Sequence, residues 1–272
     1  KTLEEFGEKT ALRDACEYAL MSGGKRIRPA LVLMIAEALG HQLDAAPAAL
    51  SVEFFHTASL IADDLPCMDN DDARRARPSL HRAFPEGVAL LASYTLIASG
   101  YEGIYRNGQL MKSNVHFRSI ADRATILSLE IATRCAGIHG ATNGQFLDLF
   151  PSDQTLSTVQ KIITQKTVTL FQISFVLGWL FGGGNAERLD EVEQVASHLG
   201  MAFQIGDDIQ DMGQDGTEMN LASMLGQEKA LLMFHSEMDL FEKGLKRLSL
   251  WNGEFAGAVE QLLVLAAPAG KN

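Results

Sequence analysis

Long apolar runs are missing from this 272-residue chain. The longest, such as Leu170–Phe181, extend about twelve residues and carry Gln172 and Ser174, short of the ~18 needed to cross a bilayer. No transmembrane segment is expected, and these runs read as buried core or subunit-interface helices. Cysteine is scarce too. Cys16, Cys67 and Cys135 are unpaired in spacing, which gives neither a disulfide framework nor a zinc pattern and predicts a reducing, cytoplasmic setting. Because the chain opens on Lys1, organellar targeting stays undecided at this level. Positive charge is in deficit, with 23 Lys and Arg against 34 Asp and Glu for a net charge of −11. That argues against nucleic acid as the main partner. Such a field also steers anionic substrates away, so any phosphate site must be built locally from metal ions and basic clusters. There is no linker, low-complexity tract or fixed-period repeat. With 47% apolar residues, the expected organisation is one extensive core, a single domain over residues 1–272.

Alternating strand patterns are nearly absent, and helical spacing dominates. Val192, Val195, Ala196, Leu199 and Phe203 form one continuous apolar stripe. Ala30–Leu39 reads as a helix after Pro29, stopped by Gly40. Pro47 opens another that runs through Val52, Phe55 and Leu60 into an acidic cluster. Val88–Ser99, Thr125–Cys135 and Val159–Phe181 fit the same pattern. The dipeptides Asn107-Gly108, Asn143-Gly144 and Asn252-Gly253 sit between helical signals and are expected to end helices. The fold class is all-α, one helical bundle.

Two aspartate clusters dominate the chemistry: DDLPCMDNDD at Asp63–Asp72 and DDIQD at Asp207–Asp211. Like charges this close destabilise a helix, and acids at a helix C-terminus oppose its dipole. Hard divalent cations bound through oxygen, with phosphates completing the shell, reverse both costs. Gln204, Asp207, Asp208 and Asp211 share a helical face, as do His56, Ser59 and Asp63, so the two clusters read as facing walls of a Mg²⁺–diphosphate site inside a bundle. A solvated acidic helix end explains one such pair but not two matching ones. A calcium-binding EF-hand loop fails, because Met68 stands at its glycine position and Arg74 at its final glutamate. Basic clusters complete the pattern. Gly23-Gly24-Lys25-Arg26-Ile27-Arg28-Pro29 places two glycines and three cations before a helix start, a phosphate seat, and Arg74-Arg75-Ala76-Arg77-Pro78 follows the first acids. Two acidic and two basic clusters suggest two phosphorylated substrates, one held through metal and one by cations directly.

GGKRIRP, EFFHTASLIADDLPCMDNDD followed by RRARP, NGQFLDL, Lys166-Thr167 and FQIGDDIQD occur here in the order and approximate spacing of the trans-isoprenyl diphosphate synthases, the farnesyl and geranylgeranyl diphosphate synthases. The chain resembles that family from about Leu12 to about Lys229. The resemblance implies a helical bundle around a deep central cavity, a homodimer, and Mg²⁺, three ions per site. It implies condensation of isopentenyl diphosphate with an allylic diphosphate by ionisation, condensation and elimination. Asp63, Asp64 and Asp69 on one wall and Asp207, Asp208 and Asp211 on the other would hold the metal. Gly24, Lys25, Arg28, His56 and Arg75 would hold isopentenyl diphosphate. Arg74, Lys166, Thr167 and Gln204 would serve the allylic diphosphate and the cation. The family's lysine after the second cluster is missing from Met212–Gln227, and Lys229 is the residue left to take its role. Ala76 and Asn143 stand where relatives carry glycine. A terpene cyclase needs no second diphosphate seat, against which the pairing of Lys25 and Arg28 with Arg75 argues. A non-catalytic synthase subunit usually loses aspartates, and all six are present here. Ser59 and Ala58 lie about one turn below Asp63, and Phe55 roughly 12 Å below it. Both nearer residues are small, so Phe55 is the expected floor for the growing chain and geranylgeranyl diphosphate the expected product, with farnesyl diphosphate the alternative.

Overall fold

The computed structural model describes residues 7–212 and 220–265. The chain order is α1 (Ala11–Leu20), α2 (Ile27–Ala38), α3 (Ala46–Asp63), a hairpin of β1 (Ala73–Arg74) and β2 (Arg77–Pro78), then α4 (Leu80–Ala83), α5 (Glu86–Ser113) and α6 (Arg118–Ala136). It continues through α7 (Ala141–Leu149), α8 (Leu156–Ile163), a π-helical turn (Thr164–Val168), α9 (Thr169–Phe181), a 3₁₀ turn (Ala186–Arg188) and α10 (Leu189–Gln210). Last come α11 (Leu221–Leu225), α12 (Gln227–Arg247) and α13 (Gly253–Leu265). The class is all-α, as the periodicity implies.

α9 is apolar nearly all round, and such a helix must be buried. Twelve of its thirteen residues are buried, Gln172 alone being partly exposed, and α2, α3, α6 and α10 pack around it. It is also too short to cross a membrane, and no helix among the described residues is long and apolar enough to do so. α3 lies against α5, with two α5 glycines receiving α3 side chains: a Cβ on Gly100 would meet the Phe55 ring, and one on Gly103 would meet Ser51. The stripe from Val192 to Leu199 is buried, as its spacing requires, and turns α10 toward the core.

Four local expectations change. Asn107-Gly108 does not end a helix. α5 runs on to Ser113, because the Asn107 amide is buried and bonded, accepting from Ala48 N–H (2.9 Å) and donating to Asp44 O (3.0 Å). Asn143-Gly144 lies inside α7, and Asn252 starts a helix, its side chain accepting from Phe255 N–H (3.0 Å). The helix expected over Val159–Phe181 is interrupted by the π turn, which places Lys166 and Thr167 on the bundle's inner wall. Single π turns inside α-helices recur at functional sites.

Candidate active site

α3 divides two chambers. Glu53, His56, Leu60 and Asp63 line a polar cavity of about 530 Å³, closed by Gly24–Arg28, Arg74 and Arg75 of the hairpin, Lys166 and Thr167 of the π turn, and Phe203, Gln204 and Asp207 of α10. Phe55, Ala58 and Ala62 face an apolar cavity of about 510 Å³ between α3, α5, α6 and α7. Ser59, Asp63, Lys166 and Leu170 line both. The chambers therefore meet at the head of α3.

The basic loops interlock. Gly24 has φ +109, and a Cβ there would lie 2.4 Å from the Arg75 guanidinium carbon, so only glycine lets Arg75 lie against this loop. Arg75 donates to Gly23 O. The hairpin joins through Arg75 and Ala76, both at positive φ (53° and 60°). Two such residues make the primed turn that hairpins favour. Arg26 caps α2 in left-handed conformation at φ 51 and pairs with buried Glu53. Arg28 has no ion pair among the described residues. Its guanidinium lies 4.6 Å from the Phe171 ring centroid, its Nη1 is 3.5 Å from His56 Nε2, and burial pushes its pKa down to about 10. Arg28 Nε and His56 Nδ1 are buried without partners. Desolvation, reinforced by the charges of Arg28, Arg75, Arg26 and Arg74, holds His56 well below the usual imidazole range. It is therefore a neutral hydrogen-bonding group beside unpaired positive charge.

The six aspartates divide by environment. Asp63 and Asp207 line the polar cavity, and burial lifts both to about 6 against the pull of Lys166 and Lys25 respectively. Asp69 folds back so that its N–H donates to Asp63 O (2.9 Å), while its carboxylate accepts from Gln145 Nε2 (3.2 Å). Asp211 closes the C-terminal end of α10. Asp64, Asp69, Asp208 and Asp211 line neither large chamber, and Asp64 and Asp208 are held by protein donors. Arg74 Nε donates to both oxygens of Asp64 (2.6 and 2.9 Å), which holds this carboxylate outside both large chambers. Asp208 accepts from Gln204 Nε2 and from Leu221 N–H, both at 2.8 Å, and Gln204 Oε1 accepts in turn from Thr167 Oγ1 (2.8 Å). It ties the π turn, α10 and α11 together. Lys229 is exposed on the first turn of α12, because its neighbour Ala230 occupies the buried face, and it lines neither chamber. Residues 213–219, seven of the sixteen in the lysine-free stretch, lie outside the described residues.

Several functional positions were not singled out by the sequence reading. Asp148 accepts from Lys166 Nζ (2.5 Å), and Gln145 one turn earlier reaches Asp69. Both belong to NGQFLDL, and their i, i+3 spacing on α7 was the available signal. A Cβ on Gly144 would lie 2.3 Å from Lys166 N, so glycine is required where α7 meets the π turn, whereas Asn143 is accommodated by donating to Gln165 Oε1 (2.7 Å). Glu53, one turn before His56, was the other legible residue. Tyr101, on α5, had no such signal. Its ring packs edge-to-face on Phe55 with centroids 5.0 Å apart, and it lines the apolar chamber.

Donor chemistry can be tested against Mg²⁺. No three His, Cys, Asp or Glu side chains converge as a metal cage among the described residues. Mg²⁺ seldom uses one; it takes one or two carboxylates, several waters and substrate phosphates. Asp63 and Asp207, hard oxygen donors on opposite walls of a cation-rich cavity, fit that habit.

A model of the polyprenyl synthetase family matches residues 9–224. The chain is 36% identical to heterodimeric geranylgeranyl pyrophosphate synthase large subunit 2 of Arabidopsis thaliana over 80% of its own length, but spans only 58% of that relative. It is 36% identical to farnesyl diphosphate synthase of Geobacillus stearothermophilus, over 84% of this chain and 74% of that one. The fold superposes on a geranyltransferase from Legionella pneumophila with TM-score 0.83 and 27% identity, covering 98% of this chain and 91% of the other. On these matches, and with the motif residues gathered around one pair of chambers, the chain belongs to the polyprenyl synthetase family.

Proposed function

We propose that this chain is a chain-elongating prenyltransferase joining isopentenyl diphosphate to an allylic diphosphate, with geranylgeranyl diphosphate as main product and farnesyl diphosphate as the alternative. One observation carries the reading: a cation-rich chamber and an apolar chamber meet at Ser59, Asp63, Lys166 and Leu170. An amphiphile with a diphosphate head and a hydrocarbon tail suits that junction, and neither chamber alone would hold it.

In this reading Asp63 and Asp69 on one wall, with Asp207 and Asp211 on the other, hold Mg²⁺, three ions per site as in the family. Asp64 and Asp208 belong to the same two metal-holding walls, and they also fix Arg74 and Gln204. When bound with the diphosphate, Mg²⁺ supplies Lewis-acid neutralisation of the leaving group. Lys166 and Arg74 place positive charge on the same diphosphate as the allylic C–O bond breaks. Lys25, Arg28, His56 and Arg75, beside Gly24, hold isopentenyl diphosphate; Arg28 Nε and His56 Nδ1 are buried there without protein partners. The isopentenyl double bond then forms the new C–C bond, and the proton lost goes to the released diphosphate. Thr167 and Gln204 line the wall beside the developing cation. The tail descends past Ser59 and Ala58 to Phe55.

We also place the active chain in a homodimer in the cytoplasm, with residues 1–272 as one synthase domain. Leu91 and Tyr94 on α5 and Ile126 on α6 are exposed and supply an apolar face for a second copy. The test is incubation of the purified chain with Mg²⁺, isopentenyl diphosphate and, in turn, dimethylallyl, geranyl and farnesyl diphosphate. Geranylgeranyl diphosphate as the main product is expected; no condensation with any primer contradicts the proposal.

A further inference from the structure

The floor of the apolar chamber is built by two helices. Phe55 comes from α3 and is buried at 4% exposure. Its ring does not stand on α3 alone: it packs edge-to-face on Tyr101 at 5.0 Å and lies over Gly100, both on α5. A Cβ built on Gly100 would fall 2.5 Å from Phe55 Cε1, 2.7 Å from Cζ and 2.8 Å from Cδ1. Carbon–carbon contacts in packed interiors lie near 3.5–4.0 Å, so the ring occupies the space any other residue would claim. Gly100 sits mid-helix in α5, at a cost of roughly 0.5–1 kcal/mol relative to alanine. Its φ is not positive, so no turn requires glycine there. The close approach of the ring supplies the reason.

Phe55 has α5 on one side and the open chamber on the other. A side chain on Gly100 would drive the ring by about 1 Å away from α5, and the chamber is the direction with room. We propose that Gly100 is a positioning residue for product length: by having no side chain it seats the Phe55 ring against α5 and so sets how deep a prenyl tail descends. This rests on reading the apolar chamber as the prenyl well.

The experiment measures binding, so that it is separate from turnover. Calorimetric affinities for the unreactive thiolo-diphosphate analogues of geranyl and geranylgeranyl diphosphate, with Mg²⁺ present, are compared for wild type, Gly100→Ala, Phe55→Leu and the double variant. Gly100→Ala is expected to weaken the geranylgeranyl analogue at least tenfold and leave the geranyl analogue within about twofold. The double variant, with no ring to displace, is expected to recover the long-tail affinity. If Gly100→Ala alone fails to fold, Phe55→Leu must rescue the fold as well. An unchanged affinity ratio in folded Gly100→Ala overturns the inference, and so does a double variant that recovers neither affinity nor fold. Absence of condensation by the wild type would refute the prenyltransferase reading instead, and leaves this binding ratio interpretable.

Discussion

The two chambers on either side of α3 are made in different ways. The polar one is assembled largely from helix ends and interruptions: the glycine-rich entry to α2, the middle and end of α3, the last two turns of α10, a short hairpin and a π turn. The apolar one is assembled mainly from helix faces, Phe55 and Ala58 on α3, Ile97 and Tyr101 on α5, Thr133 and Ala136 on α6, and Phe146 on α7. Helix ends have unpaired backbone groups and room for ions, and the side chains of Arg28, at the start of α2, and His56, within α3, keep buried polar atoms without partners. Apolar helix faces offer only shape. Affinity for diphosphate and rate should therefore depend on the first chamber, and product length on the second. Substitutions in one should leave the other property nearly untouched.

The largest effect is expected at the acid walls. Asp63→Ala or Asp207→Ala should lower turnover by roughly three orders of magnitude or more, since each removes a metal-facing carboxylate, while thermal stability stays equal or rises. Near-normal turnover in either variant would break the two-wall arrangement. Next come the cations. Losing a charge-assisted bond worth about 1.5–3 kcal/mol should raise the KM for isopentenyl diphosphate about ten- to hundredfold in Arg28→Ala. Lys166→Ala should raise it for the allylic substrate instead. Steady-state kinetics with each substrate varied in turn would show whether the two seats are separate, and equal effects on one substrate would merge them.

A smaller effect is thermodynamic. Burial holds the Asp63 and Asp207 carboxyls at about 6, above the ordinary 3.8. A raised folded-state value means the folded chain binds protons more tightly than the unfolded one. These groups therefore reduce stability as pH rises from about 4 through 6, and the cost persists above that range. With metal chelated, Asp63→Asn should be more stable than wild type at pH 7.5, by about 1 kcal/mol once partial solvent exposure is allowed for. The gap should close toward pH 4.5. Denaturant melts at both pH values give the comparison, and a less stable variant at pH 7.5 would contradict the burial argument. The smallest effect lies at the hairpin, where Ala76 sits at φ 60. Ala76→Gly relieves left-handed strain of about 1–2 kcal/mol but adds unfolded-state entropy of roughly 0.4–1 kcal/mol. A gain of no more than about 1 kcal/mol is expected by thermal melt, with kinetics unchanged; a loss of stability would show that the turn is not strained.

Much of the polar chamber could be read from sequence, because charged residues clustered at helix ends carry their purpose in composition. GGKRIRP, the two acid clusters and Lys166-Thr167 all reach one cavity. The division of labour among the aspartates was not legible. Asp64 and Asp63 are adjacent, yet one turns to Arg74 and the other to the cavity, and only the hairpin's return path decides it. The apolar chamber was legible only along α3, where Phe55, Ala58 and Ser59 share a line with Asp63. Tyr101 and Gly100 belong to a helix whose own pattern shows an apolar residue and a glycine and nothing of what they face. The bundle was clear from periodicity, but the length of α5 was not, since the Asn107-Gly108 stop signal is overridden by buried hydrogen bonds to Asp44 in the loop before α3 and to Ala48 in its first turn.

The division between a chamber that sets rate and one that sets length is tested most directly at Ala58, which is buried and lines the apolar chamber without reaching the polar one. Ala58→Phe should shorten the main product to farnesyl or geranyl diphosphate while the KM for isopentenyl diphosphate changes less than about threefold, whereas Phe55→Ala should lengthen it. Product lengths unchanged in both variants, measured by mass spectrometry on folded protein, would contradict the account.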